Sequence, residues 1–269
     1  MAEKVKSLSK ICPLFSGSTG NSTYIGTEKG SLLIDAGASM KSICAAIERA
    51  GGDYSKIKAV AVTHEHIDHV KGLKTFLKNT GVPIIASEKT LSALAKADRL
   101  PSGARVIPIG SESVEIGGIS IGRFATSHDC DGSSGYVVTL PDGKKVSVCT
   151  DLGVVTDEVR SALNGSFLTV IESNHDIEML KHGPYPPVLK MRILSERGHI
   201  SNNACACELP SLLKSGTTRF ILAHLSLKNN VPMLAKKTAE AALMDIGAEN
   251  GRDYILSVAS PEGNRVSVI

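Results

Sequence analysis

The order of apolar and polar segments predicts an α/β fold, a four-layer α/β/β/α sandwich in which two mixed sheets pack face to face with helices outside. Two observations lead to this fold class. Short strand-like segments alternate with segments of helical periodicity, as in parallel sheets joined by helices. Pairs of strands separated by short turns are interspersed among them and predict antiparallel neighbours in the same sheets. Because no linker or low-complexity stretch interrupts this order, we expect residues 1–269 to form a single domain.

The first half of the chain is predicted to contain a strand, a hairpin and then alternating helices and strands. Ser39 is expected to open the first helix, which Gly51 and Gly52 end. The Val- and Ala-rich run 59–62 is short enough to be a buried strand. The other predicted elements are strands over 8–14, 22–26, 31–35 and 83–86, helices over 70–78 and 90–95, and a pair of strands between 114 and 124.

The second half begins with a predicted hairpin of strands 135–140 and 145–150, joined by Pro141-Asp142-Gly143. Pro232 fits the first turn of an Ala-rich helix that Asn230 is expected to cap. The remaining predicted elements are a helix over 156–163, strands over 167–171, 219–226 and 254–258, an irregular Pro-rich stretch over 183–187, and helices over 188–194 and from 198 onward.

Composition excludes several classes of protein. Apolar residues make up 42% of the chain, which is enough for a core, and no apolar run is long enough to span a bilayer. The polar residues 1–6 do not resemble a signal peptide, and six scattered cysteines suit a reducing compartment, so we expect a cytoplasmic protein. Cys205 and Cys207 lie in a helical pattern and are expected to pack in the core. The net charge of +3 is compatible with an anionic substrate but does not require a nucleic acid.

The most informative stretch, 63–69, directly follows the predicted strand 59–62. Its last six positions hold three of the eight histidines and two acidic residues. Imidazole nitrogens and carboxylate oxygens are the usual ligands of zinc, manganese and iron. So many polar groups at the end of a buried strand would be costly unless something paired them. A metal site is therefore favoured over a solvent-exposed loop that is rich in histidine.

Polar residues also recur where other apolar strands end, at Asp35, His128, Asp151 and His224. Strand ends at one edge of a sandwich can converge on one cleft, so we expect these side chains to meet the histidines of 64–69. His199 competes with His224 as a further ligand. His224 is favoured because it ends an apolar strand, whereas His199 begins a helix after Gly198.

The motif His64-Glu65-His66-Ile67-Asp68-His69 matches the HxHxDH signature of the metallo-β-lactamase superfamily, and the order Asp, HxHxDH, His, Asp, His resembles the family's five motifs. The resemblance implies the family's α/β/β/α sandwich and two divalent metal ions, manganese or zinc, with iron as a further candidate. The implied ligands of the first ion are His64, His66 and His128. Those of the second ion are Asp68, His69 and His224. Asp151 would bridge the two ions, and Asp35 would support the metal loop through hydrogen bonds.

Further motifs resemble the WalJ (YycJ) group of bacterial metallo-β-lactamase-fold proteins, and this similarity runs essentially from end to end. The motifs are Leu-Phe-Ser-Gly-Ser-Thr-Gly-Asn-Ser at 14–22, Ser-His-Asp at 127–129, Thr-Asp-Leu-Gly at 150–153, Glu-Ser-Asn-His-Asp at 172–176 and Gly-His-Ile-Ser-Asn at 198–202. Members of this group are described as 5′-to-3′ DNA exonucleases with a proposed link to DNA mismatch repair. The resemblance therefore implies a metal-dependent hydrolase that acts on DNA ends. Aspartate at the bridging position, rather than cysteine, also resembles the phosphodiesterase and nuclease branches.

Two residues are expected to act in catalysis. Asp68 would orient the attacking water as well as bind an ion. The stretch 198–201 resembles the Gly-His-Ser-Thr stretch of transfer-RNA-processing ribonuclease Z, which implies that His199 contacts the phosphate or protonates the leaving group. The alternative for His199 is a histidine that caps a helix.

Candidate substrate contacts lie in loops. Ser16, Ser18 and Asn21 belong to a small-residue loop whose hydroxyl and N–H groups suit phosphate, although a plain turn explains them equally well. His175 follows another strand end and is a further candidate. The stretch 183–197 is the best candidate for a compact insert that grips the substrate.

Two other functions stay open at this point. A small-molecule phosphodiesterase acting on cyclic substrates would share every metal ligand. A regulatory metal-binding module of the same fold would be expected to lack a ligand, and none is missing. The sequence does not decide the native metal, the choice between DNA, RNA and small phosphodiesters, the oligomeric state, or the cleavage polarity independently of the resemblance.

Overall fold

The computed structural model describes residues 8–264 and 266–269, so the polar residues 1–6 lie outside the described residues. Helices and strands alternate much as the sequence predicts. The strands are β1 (Lys10–Phe15), β2 (Ser22–Gly26), β3 (Ser31–Ile34), β4 (Ile57–Ala61), β5 (Ile84–Ala86), β6 (Val106–Pro108), β7 (Val114–Ile116), β8 (Ile119–Ala125), β9 (Ser134–Thr139), β10 (Lys145–Cys149), β11 (Leu168–Glu172), β12 (Arg219–Ala223), β13 (Ile255–Val258) and β14 (Ser267–Val268). The α-helices are α1 (Met40–Arg49), α2 (Ile67–Val70), α3 (Leu73–Thr80), α4 (Glu88–Lys96), α5 (Asp157–Leu163), α6 (Ile177–His182), α7 (Pro187–Leu194), α8 (Asn202–Lys214) and α9 (Pro232–Met244).

Within the described residues the strands form two seven-stranded sheets. The first has the order β14-β1-β2-β3-β4-β5-β6, and the second has the order β13-β12-β11-β10-β9-β8-β7. Strands β3 to β6 run parallel in the first sheet, and β10 to β13 run parallel in the second. Antiparallel pairs occupy the other side of each sheet. Both sheets are therefore mixed, as predicted.

Apolar side chains at alternate strand positions fill three core layers. Along β3, Leu32 and Ile34 belong to the cluster between the sheets. Leu33 belongs instead to a cluster with Ile43 of α1 and Phe76 of α3. A third cluster joins the second sheet to α5, α8 and α9. Full burial of one such side chain stabilises the fold by roughly 1.5–3 kcal/mol. The alternation of side chains along each strand therefore determines which layer of the core each of them joins. Their order is helix, sheet, sheet, helix, which confirms the predicted sandwich.

Several short elements differ from the sequence-based expectation. The predicted helix over 70–78 is two helices, α2 and α3, separated at Gly72, where an added Cβ would lie 2.0 Å from the Ala38 carbonyl oxygen. Helix α6 is not predicted, although Asp176 caps it by accepting a hydrogen bond from the Met179 N–H at 2.8 Å. Strands β6 and β14 have only three and two residues, too few to show a period.

Two predictions about individual residues are wrong. Helix α9 begins at Pro232 with Val231 at its N-cap and no side-chain cap bond, so Asn230 does not cap it. Asn230 instead exchanges two amide hydrogen bonds of 2.9 Å with Asn202. Cys205 is buried in the core as predicted, but Cys207 is exposed. Among the described residues, no helix has the length and apolar character needed to cross a membrane.

Three polar residues that lie within two positions of a strand end adopt left-handed backbone conformations. Their φ angles are 62° at Asp35 after β3, 60° at Asp151 after β10, and 55° at His224 after β12. This conformation costs residues with a Cβ roughly 1–2 kcal/mol, although Asp and His are among the residues that tolerate it best. Such strain tends to be retained where function requires the geometry. The three strand ends are therefore candidates for a functional site.

Candidate metal centre

The side chains predicted to bind metal lie together at one edge of the sandwich. Their donor atoms form three overlapping groups, and within each group the atoms lie within 4.8 Å of one another. The groups are His64, His66 and His128; Asp68, His69 and His224; and His64, His69 and Asp151. The first two groups are the two ligand sets implied by the resemblance, and the third links them through Asp151. Both sheets contribute, because 64–69 follows β4 whereas His128, Asp151 and His224 follow β8, β10 and β12.

Protein acceptors fix the orientation of the buried histidines. The Nδ1 of His128 donates to the Gly198 carbonyl oxygen at 3.1 Å. The Nδ1 of His224 lies 2.7 Å from Glu172 Oε1. Metal-binding histidines typically use their second nitrogen in this way, which fixes the ring and its tautomer. The Nε2 atoms of both rings are thereby left for another partner.

Unpaired buried atoms show that this donor set fits a cation. Among the described residues, His128 Nε2, His224 Nε2 and Asp151 Oδ2 are buried and have no hydrogen-bond partner. An unsatisfied buried polar group costs about 1–3 kcal/mol, so native proteins contain few of them. Imidazole nitrogens and carboxylate oxygens are donors that suit zinc or manganese. The donor atoms at this edge of the fold therefore suit a divalent metal ion.

Charged side chains at the site shift one another's pKa values. Burial alone would raise the pKa of Asp151, but His224 and His69 hold it well below its ordinary value. Burial alone would lower the pKa of His224, but the carboxylates of Asp151, Asp68 and Glu172 raise it to about 10. Because a histidine must be neutral to bind a metal, an incoming cation would displace the proton of His224. Metal binding should therefore release protons.

Asp35 and Gly37 hold the metal loop in place. Asp35 accepts hydrogen bonds of 2.8 Å from the N–H and the hydroxyl of Thr63, and its Oδ2 lies 2.8 Å from His69 Nδ1. These contacts fit the predicted supporting role. At Gly37 an added Cβ would lie 1.7 Å from the Asp68 carbonyl oxygen. The loop can therefore dock against this segment only because position 37 has no side chain.

The small-residue loop 15–22 supports the site from beneath. The amide of Asn21 donates to Asp68 Oδ2 at 3.2 Å and lies 3.0 Å from His69 Nε2. The hydroxyl of Ser16 accepts from the His224 N–H at 2.8 Å. The side chains of Asn21 and Ser16 are both buried. They contact residues of the predicted second ligand set rather than a surface that a substrate could reach, which differs from their predicted role. Ser18 is exposed, and a substrate contact there stays a prediction.

Glu172, which was not among the predicted site residues, connects two histidines of the site. Its Oε1 lies 2.9 Å from His199 Nδ1 and 2.7 Å from His224 Nδ1. Burial alone would raise the pKa of Glu172, but His199 and His224 lower it to about 2. The one sequence signal that could have found it is an acidic residue at the end of the otherwise uncharged strand β11. His199 thus sits in the cluster, held by Glu172, with 16% of its side chain exposed.

His175 lies beneath the surface rather than in the cleft. Its residue exposure is 1%, and neither ring nitrogen has a hydrogen-bond partner among the described residues. Burial lowers its pKa to about 4. Its burial therefore does not support the predicted substrate contact.

Helix α7, in the predicted substrate-gripping insert, is tied to the first ligand set by an ion pair. The Nε of Arg192 donates to Asp129 Oδ2 at 2.7 Å. The other oxygen of Asp129 lies 3.4 Å from His66 Nε2 and 3.3 Å from His128 Nε2. Arg197 donates to the His128 carbonyl oxygen at 2.9 Å. These arginines therefore hold the site together, and contact with a substrate stays a prediction.

Comparison with known proteins agrees with the fold. The family model described as Beta-lactamase superfamily domain matches residues 31–225. The chain therefore belongs to the metallo-β-lactamase superfamily. Two crystal structures of that fold are similar over nearly the whole chain. YhfI from Bacillus subtilis has a TM-score of 0.71 at 16% identity, covering 98% of this chain and all of that one. Zn²⁺-bound PqqB from Methylobacterium extorquens has a TM-score of 0.67 at 16% identity, and the match covers 96% of this chain and 99% of that chain.

Two curated bacterial proteins are similar in sequence along almost their whole length. Exodeoxyribonuclease YycJ of Bacillus anthracis is 35% identical over 250 residues, which cover 93% of this chain and 94% of that protein. Exodeoxyribonuclease WalJ of Streptococcus pneumoniae serotype 2 is 34% identical over 259 residues, which cover 94% of this chain and 95% of that protein. The resemblance to the WalJ (YycJ) group is therefore confirmed.

Proposed function

We propose that the chain is a divalent-metal-dependent exonuclease that degrades DNA from its 5′ end. The observation that carries the proposal is the identity of 34–35% with two exodeoxyribonucleases over more than nine-tenths of the chain. The converging donor atoms at the sheet edge support it, because a phosphodiester hydrolase of this family needs them. The 5′-to-3′ polarity follows from the resemblance to the WalJ (YycJ) group.

Two manganese or zinc ions would be held by the two ligand sets, with Asp151 between them. Ions at such sites neutralise the charge of a phosphodiester and bring the pKa of a bound water toward neutrality. The protein's own part is to keep the ligands fixed before the substrate arrives. Asn21, Asp35 and Glu172 do this through the hydrogen bonds described above.

Asp68 and His199 are the residues we assign to proton handling. Asp68 Oδ2 is fixed by Asn21 and lies 3.9 Å from His224 Nε2, where a carboxylate can orient the attacking water. His199 has its Nδ1 committed to Glu172, so Nε2 is the nitrogen that can meet the phosphate or give a proton to the leaving oxygen. Its partial exposure gives a substrate access to it.

The test is digestion of duplex DNA labelled at one end or the other, using chelator-treated protein reloaded with Mn²⁺. Nucleotides should leave from the 5′ end. His66→Ala and Asp68→Asn should each lower the rate by more than about 100-fold, since even residues that only support a ligand cost 10–100-fold. His182→Ala is the matched control, because that side chain is 82% exposed.

Full Mn²⁺-dependent cleavage by both His66→Ala and Asp68→Asn would overturn the metal mechanism. RNA of the same sequence and a cyclic dinucleotide belong in the same assay. Faster hydrolysis of either compound than of DNA would replace the proposed substrate and leave the metal centre intact.

A further inference from the structure

A separate group of donor atoms lies on the outer side of His66. The Nδ1 of His66 lies 3.1 Å from His64 Nε2 and faces the ligand sets already described. Its Nε2 faces the other way, 3.3 Å from Cys130 Sγ and 3.4 Å from Asp129 Oδ1. Donor atoms of these three residues lie within 4.8 Å of one another. A nitrogen, a sulfur and an oxygen are thus placed together beside the predicted centre, which Asp129 Oδ1 also approaches at 3.3 Å from His128 Nε2.

A negatively charged neighbour adds to this group. Glu65 Oε2 is buried and has no hydrogen-bond partner among the described residues. Glu65 and the Cys130 thiol line the same cleft. An orphaned carboxylate oxygen beside a thiol and an imidazole is an arrangement that a cation would satisfy.

A cation can reach the group from solvent. A cleft of about 710 Å³ is lined by Glu65, Asp129 and Cys130, together with residues of α4. The side chains of His66 and Asp129 are 34% and 30% exposed. An ion in this cleft would meet Cys130, whose sulfur lies 3.3 Å from the outer nitrogen of His66, without passing through the two ligand sets.

We propose that His66 Nε2, Asp129 and Cys130 bind an additional, thiophilic divalent cation such as Zn²⁺, and that this ion inhibits the protein. Thiolate, imidazole and carboxylate are the ligands of tetrahedral zinc sites. Manganese prefers oxygen ligands and competes poorly for a thiolate. On binding, the cysteine proton passes to solvent and the sulfur forms a bond to the cation.

Inhibition follows because the two cations would share a single imidazole ring. Nδ1 of His66 serves the first ligand set, and Nε2 lies on the same ring. A cation bound at Nε2 therefore places a positive charge close to the first ligand set and repels the ion held there. The inhibitory part of the inference rests on the proposed function, whereas the site itself does not.

Cadmium is the probe for the site, because cadmium–thiolate bonds absorb in the ultraviolet. Mn²⁺-loaded wild-type protein, Cys130→Ser and Cys207→Ser are titrated with Cd²⁺. Cys207 is the matched control, since its thiol is exposed and lies on α8. We expect a band that saturates at one equivalent in the wild type and in Cys207→Ser and is lost in Cys130→Ser. Absence of the band from the wild type, or its persistence in Cys130→Ser, would overturn the site.

Inhibition is measured separately, as Mn²⁺-dependent DNA cleavage at increasing Zn²⁺. Cys130→Ser should need at least about tenfold more Zn²⁺ for half-inhibition, as expected for loss of a metal contact. Equal inhibition of both proteins would refute the inhibitory role. If no protein cleaves DNA, the proposed function fails, and the cadmium titration still decides whether the site exists.

Discussion

Replacing Glu172 with glutamine should disturb both folding and metal binding, because every group that faces this carboxylate is a donor. The donors are the ring nitrogens of His199 and His224 and the N–H groups of Asp151, Leu152 and Ile200. Glutamine retains one oxygen, but its NH₂ group cannot accept a hydrogen bond and would face N–H groups. The two histidines would also lose their negative partner.

The size of the effect follows from burial. Glu172 is 0% exposed and His224 is 4% exposed, so water does not screen the pair. Removing one partner of a buried ion pair costs about 3–5 kcal/mol. The lowering of the Glu172 pKa from 4.5 to about 2 corresponds to about 3 kcal/mol. This stabilisation is fully present above the unfolded pKa and disappears as the pH falls through about 2, so it operates fully at neutral pH.

Urea denaturation of the chelator-treated protein at neutral pH measures the loss directly. Glu178→Gln is the matched control, because its ion pair with Lys181 is exposed and should contribute less than about 1 kcal/mol. A Mn²⁺ titration should also give about 10–100-fold weaker binding for Glu172→Gln. If the two variants unfold within about 1 kcal/mol of each other and bind Mn²⁺ equally, the reasoning about Glu172 is wrong.

Three further predictions concern other parts of the site. Because burial lowers the pKa of His175 to about 4, stability should fall as the pH drops below about 6.5. By about pH 5 the free energy of unfolding, measured by urea denaturation, should have fallen by about 2 kcal/mol more in the wild type than in His175→Asn. Equal decreases in the two proteins would contradict this. Gly37→Ala should destabilise the protein by about 3 kcal/mol or more and lower its melting temperature. Gly110→Ala is the control, because its Cβ would meet nothing within 4 Å, and it should shift the melting temperature little. Arg192→Ala releases Asp129 and should weaken Mn²⁺ binding about tenfold in calorimetry; unchanged affinity would refute the link to α7.

The convergence of the proposed ligand residues could be predicted because each is marked locally. The histidines of 64–69 stand together after an apolar strand, and Asp151 and His224 each end one. In parallel sheets the carboxyl ends of strands share an edge, so residues far apart in sequence could be expected to meet. The alternating apolar pattern fixed the layers in the same way, because it determines which strand face is buried.

The supporting roles of Asn21 and Glu172 could not be predicted, because their partners are distant in sequence and the local pattern does not indicate them. Asn21 contacts Asp68, which is 47 positions away, and Glu172 contacts His224, which is 52 positions away. A polar loop such as 15–22 has the same sequence signature whether it faces a substrate or lies beneath a metal loop. Helix α6 has six residues, which is too short for helical periodicity to be visible.

The division of the ligands between the two sheets has a consequence for how the protein matures. During synthesis, the histidines of 64–69 leave the ribosome long before Asp151 and His224 do. A truncated chain that stops ahead of β12 would contain all three residues of the first ligand set but would lack His224 of the second, so it could not hold the proposed pair of cations. Binding of the proposed pair of ions would therefore be a late event, because it requires that both sheets of the sandwich have come together.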